Sequence, residues 1–529
     1  MTGIRAFGAA LLVLVLSIAA CGGGTAAPPQ QGPAQKGGEL TVALAEDPDA
    51  LDPSTARTFV GRIVFANMCE KLYDTNEKLE VVPQLATELP KLSDGGKTVT
   101  IPLREGVKFN DGTPFDADAV KQSIDRHIEL KGSFRASELS PVSKVTAVDE
   151  KTVELTLASA FAPLPSILAD RAGMVMSPKQ LDALGEKFGD EPVCVGPFEF
   201  DKRTASDRID LKKASDYYDA DKVNLDKLAF RIITDGNVRA SNVRSGDVDV
   251  AERLDPTDAT TLKGDPNLAL QSPTEIGYQS VTINIANKNG VGEPYETLDT
   301  PLAREQTLRE AFELSLDRNT INKVVFQGQF VPTCSAISPA SPFAEQGLQC
   351  PPRDLAKAKQ LIADSGEKTP IPVELMVEND PINERLGEII QSLSKESGFD
   401  VKVRPTEFTA ALDKQDAGEY DTFQIGWSGR LDPDGNIYPF HHTKGSQNTN
   451  GASDPEIDKL LDDARTIDDM AKRREMYGQA MDLIRERHNL IYLYHRKLFT
   501  ASRQDVTGVQ VFGDGLLRLK TAGRTKGEK

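Results

Sequence analysis

The chain has 529 residues, 27% of them charged, and a formal net charge of −18. This length allows a large buried core and more than one lobe. The excess of negative charge argues against binding of nucleic acid or anionic lipid through a basic surface.

The N-terminus predicts an exported protein. Arg5 is the only positive side chain before an apolar run at residues 9–20, which is too short to span a bilayer and is typical of a signal-peptide core. The run ends in Ser-Ile-Ala-Ala-Cys, which resembles a bacterial lipoprotein box with Cys21 as the lipidated residue. We expect a signal peptide at 1–20 and a lipidated flexible tether at 21–38. The alternative is an ordinary secretory signal with an incidental cysteine.

Residues 94–128 predict a strand, a turn and a capped helix. Apolar and polar residues alternate at 98–103, which is the period of a half-buried strand. Asn-Asp-Gly at 110–112 is typical of a tight turn. Asp116 is placed to cap a helix whose apolar face continues to residue 128.

The same stretch resembles the signature block of the dipeptide- and oligopeptide-binding proteins of ABC importers, the bacterial extracellular solute-binding proteins of family 5. The resemblance continues at 46–53, 79–86, 195–200 and 309–318, although Cys194 replaces a glycine of the family pattern. The residues that carry the match in the signature block are Leu103, Arg104, Gly106, Val107, Lys108, Phe109, Asp111, Gly112, Pro114 and Phe115.

The resemblance implies an α/β fold of the two-lobed, type II periplasmic-binding-protein kind, in the peptide-binding cluster with an extra subdomain and two crossover hinge segments. The implied lobe I core comprises 39–80, 191–277 and 491–529, with the extra subdomain at 81–190. Lobe II is expected at 278–490. Helix and strand patterns alternate between 355 and 403, as is typical of an α/β lobe. A strand at 491–494 is expected to return the chain to lobe I.

The cysteines predict disulfides. Lipidation of Cys21 leaves four cysteines, an even number that suggests disulfides in an oxidising compartment. Cys334 and Cys350 flank a loop rich in Pro and Ser, and a bridge between them would stabilise the fold by roughly 3 kcal/mol in the chain-entropy model. A pair between Cys69 and Cys194 follows only by subtraction.

The loop at 426–435 is the strongest candidate for a binding site. It follows an alternating strand pattern, and loops at strand ends are where α/β lobes place ligands. Trp427 is the only tryptophan of the chain and offers a flat surface to a bound side chain. We interpret it as a pocket wall, with simple core packing as the alternative. Tyr278, at the expected crossover, corresponds to residues that line the family's cleft, with hinge packing as its alternative.

Arg430 departs from the family pattern. Peptide-binding members that clamp a free α-amine carry an aspartate three residues after this tryptophan. An arginine repels an ammonium group and favours a carboxylate. Two hypotheses are open: Asp432 recognises the amine instead, or the ligand lacks an amine there or presents its carboxylate to Arg430. A surface ion pair for Arg430 and a turn-forming role for Asp432 are the alternatives.

Other chemistry has little support in the sequence. Asp432, Asp434 and Asn436 have the first spacings of a calcium loop, but Thr443 stands where a glutamate is needed. His441 and His442 are neighbours in a polar segment, where solvated histidines are the usual reading. We find no Cys-x-x-Cys motif and no signature of a hydrolase or a nucleotide-binding loop. We therefore expect no metal, no cofactor and no enzymatic activity.

The expected function is capture of a peptide or peptide-like solute between two lobes and its delivery to an ABC permease. The protein is expected to be a monomer, held by its lipid on the extracytoplasmic face of the bacterial membrane, without a nucleic-acid partner. One alternative keeps the fold and changes the solute to an oligosaccharide, an opine, a nickel chelate or haem. The other is a different class, either a secreted hydrolase or a ligand-sensing partner of a membrane receptor.

Overall fold

The computed structural model describes residues 32–292 and 294–525. The predicted signal peptide, Cys21 and the first part of the predicted tether lie outside these residues. Across the described part of the chain, no helix combines the length and the apolarity needed to cross a bilayer. The architecture is mixed α/β, as predicted, and the described residues form two large sheets, one four-stranded sheet and three two-stranded sheets. The two-stranded sheets pair Tyr73–Thr75 with Val81–Pro83, Val506–Thr507 with Gly523–Arg524, and Gln510–Val511 with Leu517–Arg518.

The first large sheet has seven strands. Four apolar residues of its central strand, Glu39–Leu44, are buried, and the strand pairs in parallel with Lys227–Ile232 and Val250–Leu254. The order across the sheet is Leu268–Gln271, Phe499–Arg503, Val250–Leu254, Glu39–Leu44, Lys227–Ile232, Arg208–Lys213 and Phe198–Thr204. The helices that accompany this sheet are Phe59–Met68, Gly236–Ser245 and Pro256–Leu262.

A four-stranded antiparallel sheet forms the extra subdomain. The prediction of a strand, a turn and a capped helix is confirmed, because Thr98–Pro102 is a strand and the Asp116 carboxylate accepts a hydrogen bond from the Ala119 amide at 2.9 Å. The order of the strands is Lys91–Ser93, Thr98–Pro102, Thr152–Leu157 and Val142–Asp149. The helices are Ala117–Glu129, Arg135–Glu138, Leu164–Ile167 and Pro178–Leu184.

The second large sheet has six strands. Ile371–Glu378 pairs in parallel with Phe399–Thr406 and Thr422–Trp427, which confirms the predicted alternation of helices and strands in this region. The order is Val331–Pro332, Leu490–His495, Tyr278–Ile283, Thr422–Trp427, Ile371–Glu378 and Phe399–Thr406. The helices are Pro301–Arg304, Gln306–Ser315, Arg318–Phe326, Leu355–Ser365, Pro381–Lys395, Phe408–Ala417, Asp434–His441, Pro455–Thr466 and Met470–Arg487.

The position of the strand near residue 491 corrects one predicted boundary. Leu490–His495 belongs to the second sheet, where it pairs antiparallel with Tyr278–Ile283. The chain returns to the first sheet only with Phe499–Arg503, which pairs with Val250–Leu254. All six residues of Leu490–His495 are buried, so the apolar run predicts an internal strand but does not indicate which sheet receives it. Hereafter lobe I denotes residues 39–271 and 499–525, and lobe II denotes 278–495.

Two segments, 272–277 and 496–498, join the lobes and lie antiparallel to each other. The Glu275 amide donates to the Arg496 carbonyl at 3.0 Å, and the Leu498 amide donates to the Pro273 carbonyl at 2.9 Å. The buried Glu275 carboxylate also accepts hydrogen bonds from the Arg496 amide and Nε, each at 3.0 Å. The two predicted crossover segments are therefore present and are braced as one hinge.

Both predicted disulfides are present. Cys69 and Cys194 are bridged, and their Cα atoms are 5.0 Å apart. Cys334 and Cys350 are bridged with a Cα separation of 5.5 Å. The first bridge closes the chain at the base of the extra subdomain, because the intervening residues contain that whole subdomain.

Candidate functional site: an interlobe cleft

A cavity of about 1240 Å³ lies between the two lobes. It is lined by residues at the carboxyl ends of strands in both large sheets, including Arg253 and Leu254 from lobe I and Glu378 and Trp427 from lobe II. Crevices at the carboxyl ends of strands are the usual ligand sites of α/β sheets. The volume exceeds the range of about 300–1000 Å³ that is usual for drug-sized ligands, so a short peptide and bridging waters fit.

Trp427 ends the strand Thr422–Trp427 and lines the cavity. Its ring is half-buried, packs edge-on against Phe440 at 5.0 Å, and its Nε1 donates to the Asn436 Oδ1 at 3.1 Å. Asn436 also accepts from the Arg430 amide at 2.6 Å and donates to the Arg430 carbonyl at 2.9 Å. Asn436, noted above for its calcium-like spacing, thus holds the loop that presents Trp427 and Arg430.

Tyr278 lies opposite Trp427 in the antiparallel pair of strands. It is only 1% exposed, and its ring packs edge-on against Tyr492 at 4.9 Å and Phe440 at 6.1 Å. Burial raises the pKa of its hydroxyl well above the usual value. Tyr278 contributes to the cavity wall, but this burial favours support of Trp427 over direct contact with a ligand.

Arg430 crosses from lobe II towards lobe I. Its guanidinium lies 4.4 Å from the centre of the Trp427 ring and 3.9 Å from carboxylate oxygens of Glu138 and Asp170. Burial, together with nearby Arg62 and other arginines, lowers the pKa of Arg430 to about 10, against the opposing effect of Asp170. Arg430 is therefore charged at neutral pH, and its contacts lie inside the cleft instead of on an outer surface.

Asp432 is engaged by a partner that the sequence pattern does not indicate. Its two carboxylate oxygens accept hydrogen bonds from the two terminal nitrogens of Arg473, each at 2.7 Å. One of these oxygens also accepts from the Asp434 amide at 2.9 Å. An amine at Asp432 would have to compete with this buried pair, so the geometry favours a supporting role for Asp432.

Three further arginines lie near Arg430, and two of them, Arg135 and Arg171, also line the cavity. We call Arg62, Arg135, Arg171 and Arg430 the arginine cluster. Arg62 donates through Nε to Asp170 at 3.2 Å, Arg135 pairs with Glu138 at 2.7 Å, and Arg171 donates to the Ala56 carbonyl at 2.9 Å. Burial alone would raise the pKa of Asp170, but Arg62, Arg171, Arg430 and Arg135 lower it well below its usual range. No local motif predicts this cluster, because its members come from four separate segments.

A group of acidic side chains lies where Glu378 faces lobe I. Burial, together with neighbouring Asp380 and Glu46, raises the pKa of Glu378 to about 7, although Arg253 and Arg496 act against this rise. No ion pair joins the arginine cluster to any of the five side chains just named, which are Glu46, Arg253, Glu378, Asp380 and Arg496. The cavity is therefore electrostatically uneven, with arginine-rich and acidic portions.

The possible metal ligands are otherwise engaged. The buried His441 ring lies 2.8 Å from the Tyr492 hydroxyl, whereas His442 stacks on Tyr438 and lies 3.4 Å from Asp462. Asp434 lies 3.0 Å from the Arg465 Nε. Among residues 32–292 and 294–525, no group of three or more His, Cys, Asp and Glu side chains is arranged to hold a metal ion.

Comparison with known families gives a match over most of the chain. The profile described as bacterial extracellular solute-binding proteins, family 5 middle, matches residues 80–448. The glutathione-binding protein GsiB of Escherichia coli K12 is 27% identical over 490 residues, which cover 90% of this chain and 92% of GsiB. These similar proteins are solute-binding proteins and not enzymes.

Solved structures agree with this fold. The periplasmic binding protein DppA of Helicobacter pylori, in complex with the peptide STSA, has a TM-score of 0.82 and 21% identity, covering 93% of this chain and 99% of DppA. The binding protein AgaA of A. tumefaciens R10, in complex with agropinic acid, has a TM-score of 0.77 and 26% identity, covering 92% of this chain and 96% of AgaA. Proteins of this fold thus include a peptide complex and an opine complex.

Proposed function

We propose that this chain, which belongs to the bacterial extracellular solute-binding proteins of family 5, captures a peptide or peptide-like solute and delivers it to an ABC permease. The observation that carries the proposal is the cavity between the lobes, lined by the single tryptophan and by charged groups from both sides. The likeness to GsiB over nine-tenths of the chain supports a peptide-like solute.

Capture requires the lobes to close on the solute. The Ala162 amide of lobe I donates to the Arg465 carbonyl of lobe II at 2.7 Å, and the Gln329 side chain of lobe II donates to the Pro256 carbonyl of lobe I at 2.6 Å. These contacts hold the lobes together, while the two-segment hinge permits them to separate. A solute drives closure only through its extra affinity for the closed form.

The place of action is the outer face of the bacterial membrane. The lipoprotein-like sequence ending at Cys21 supports a lipid anchor, and several acyl chains, each contributing about 0.8 kcal/mol per buried CH₂, give stable attachment. The tether that follows would leave the lobes free to meet the permease subunits. We propose that the protein acts as an anchored monomer.

A second candidate is a non-peptide solute. The arginine cluster and the structural likeness to AgaA, whose complex contains agropinic acid, favour an opine or another acidic solute over an oligosaccharide. The panel of compounds tested for binding therefore includes octopine as well as peptides.

Titration of Trp427 fluorescence tests solute capture. The full chain, unfolded and refolded to remove co-purified molecules, should give a saturable emission change with one or more of a panel of peptides of two to five residues, S-methylglutathione and octopine. The change is expected because Trp427 is the only tryptophan and lines the cavity. Trp427→Phe should lose the signal but still release or absorb heat in calorimetry. Absence of both signals across the panel would contradict the proposed function.

A further inference from the structure

The extra subdomain of lobe I meets lobe II beside the cavity, at Phe161 and Ala162. These two residues follow the strand Thr152–Leu157. The Ala162 amide donates a hydrogen bond to the Arg465 carbonyl at 2.7 Å. Arg465 lies in the last turn of the lobe II helix Pro455–Thr466. The last four carbonyls of a helix have no partner inside the helix, so the Ala162 amide satisfies one of them only when the lobes are together.

The Arg465 guanidinium contacts aromatic rings of both lobes. It lies 3.6 Å from the centre of the Tyr438 ring in lobe II and 4.9 Å from the centre of the Phe161 ring in lobe I. Its Nε lies 3.0 Å from a carboxylate oxygen of the buried Asp434. Aromatic faces attract cations, and the attraction grows where water is excluded. Because Tyr438 and Asp434 hold the guanidinium within lobe II, Phe161 meets a cation that is already in position.

The neighbouring loop of lobe II also reaches lobe I. The partly buried Leu431 packs against the apolar core of lobe I. Arg430 lies 3.9 Å from carboxylate oxygens of Glu138 and Asp170, and both of these acids belong to the extra subdomain. The extra subdomain therefore meets lobe II at more than one point.

Contacts between the lobes affect the departure of a solute more than its arrival. The contacts of Arg465 with Phe161 and Ala162 join different lobes, so they stabilise the closed form and are lost on opening. A solute enters while the cleft is open, before these contacts exist. A captured solute leaves only after the lobes have separated, so the contacts lengthen its stay.

We propose that the extra subdomain carries a latch, formed by Phe161 and Ala162 on Arg465, which engages on closure and sets how long a captured solute stays in the cleft. The inference rests on the proposed function and goes beyond it, because capture itself needs only the two lobes and the hinge. It also gives the extra subdomain a role in the residence time of the solute.

Stopped-flow displacement on the full chain, followed by Trp427 emission, measures the residence time of each solute of the panel that binds. Phe161→Leu removes the aromatic face but keeps an apolar side chain, and Arg465→Met keeps a long side chain without the guanidinium. Each should speed dissociation about threefold to tenfold, as for loss of one cation–aromatic contact, and leave the association rate unchanged. Phe161→Leu added to Arg465→Met should cause no further acceleration, because both substitutions remove the same contact.

Two comparisons separate a latch from other effects of these substitutions. Phe161 and Arg465 also line the cavity, so a direct contact with the solute would give factors that depend on the solute, whereas a latch gives one factor for every solute that binds. Two matched variants should leave both rates unchanged. Phe115→Leu alters a buried phenylalanine of lobe I that packs against Phe109, and Arg474→Met alters an arginine that donates to a carbonyl within lobe II.

The outcomes distinguish failure of the latch from failure of solute capture. If thermal melting shows that Arg465→Met does not fold, Arg465→Gln replaces it, because glutamine keeps a donor for Asp434. Unchanged dissociation in the folded variants, multiplied effects in the double variant, equal acceleration by the matched variants, or factors that differ between solutes would overturn the latch and leave solute capture intact. Failure of the unaltered chain to bind any compound of the panel would overturn the proposed function and the latch together.

Discussion

Replacement of both Cys69 and Cys194 by alanine should lower the free energy of unfolding of lobe I by about 5 kcal/mol in the chain-entropy model. The bridged residues are 125 positions apart, and the enclosed chain contains the whole extra subdomain. Without the bridge, the unfolded chain gains the freedom of that long loop. Urea unfolding followed by circular dichroism, with and without a reducing agent, measures the change.

The second disulfide is the matched control. Cys334 and Cys350 are only 16 positions apart, so their double alanine variant should lose about 3 kcal/mol. An equal or larger loss from the shorter loop would contradict the role of chain entropy. Because the two bridges lie in different lobes, the two losses should appear in separable parts of the unfolding curve.

Asp432→Ala should lower the free energy of unfolding by about 3–5 kcal/mol, because it leaves Arg473 charged and unpaired in a buried site. The side chains of this pair are 7% and 6% exposed, and both carboxylate oxygens are bound. The loop that carries Trp427 should loosen with it, so any loss of solute affinity follows from disorder of the loop. Urea unfolding and Trp427 emission report the two effects separately.

A double variant distinguishes loss of the pair from loss of a ligand contact. Asp432→Leu combined with Arg473→Met replaces the pair by apolar side chains and should be more stable than Asp432→Ala alone. Retention of wild-type stability by Asp432→Ala, together with loss of solute binding, would instead support direct recognition of the solute by Asp432.

Local patterns predict the elements of this fold well where a single sheet face or helix face decides the outcome. The alternation at 98–103 and the cap at Asp116 both appear in the structure as strand and capped helix. The strand Leu490–His495 is different, because a run buried on both faces has no alternation that would indicate its neighbours. Its place beside Tyr278–Ile283 is decided by tertiary pairing.

The candidate binding site also combines features that local sequence patterns predict with features that only tertiary contacts decide. The position of Trp427 at a strand end is predictable, since the alternating strand and the following turn are continuous in the sequence. The pairing of Asp432 with Arg473 is not predictable, because Arg473 comes from a helix that begins at Met470. The arginine cluster is a stronger case, because the tertiary fold of lobe I brings Arg62, Arg135 and Arg171 together and only the approach of lobe II adds Arg430.

The distance between the lobes is the most direct measure of the central claim, which is closure of the cleft on a solute. Spin labels at the exposed positions Lys187 in the extra subdomain and Lys395 in lobe II can report it by double electron–electron resonance. Addition of a solute that changes Trp427 fluorescence should replace a longer, broader distance distribution by a shorter, narrower one. The same distribution before and after saturation with that solute would contradict the claim.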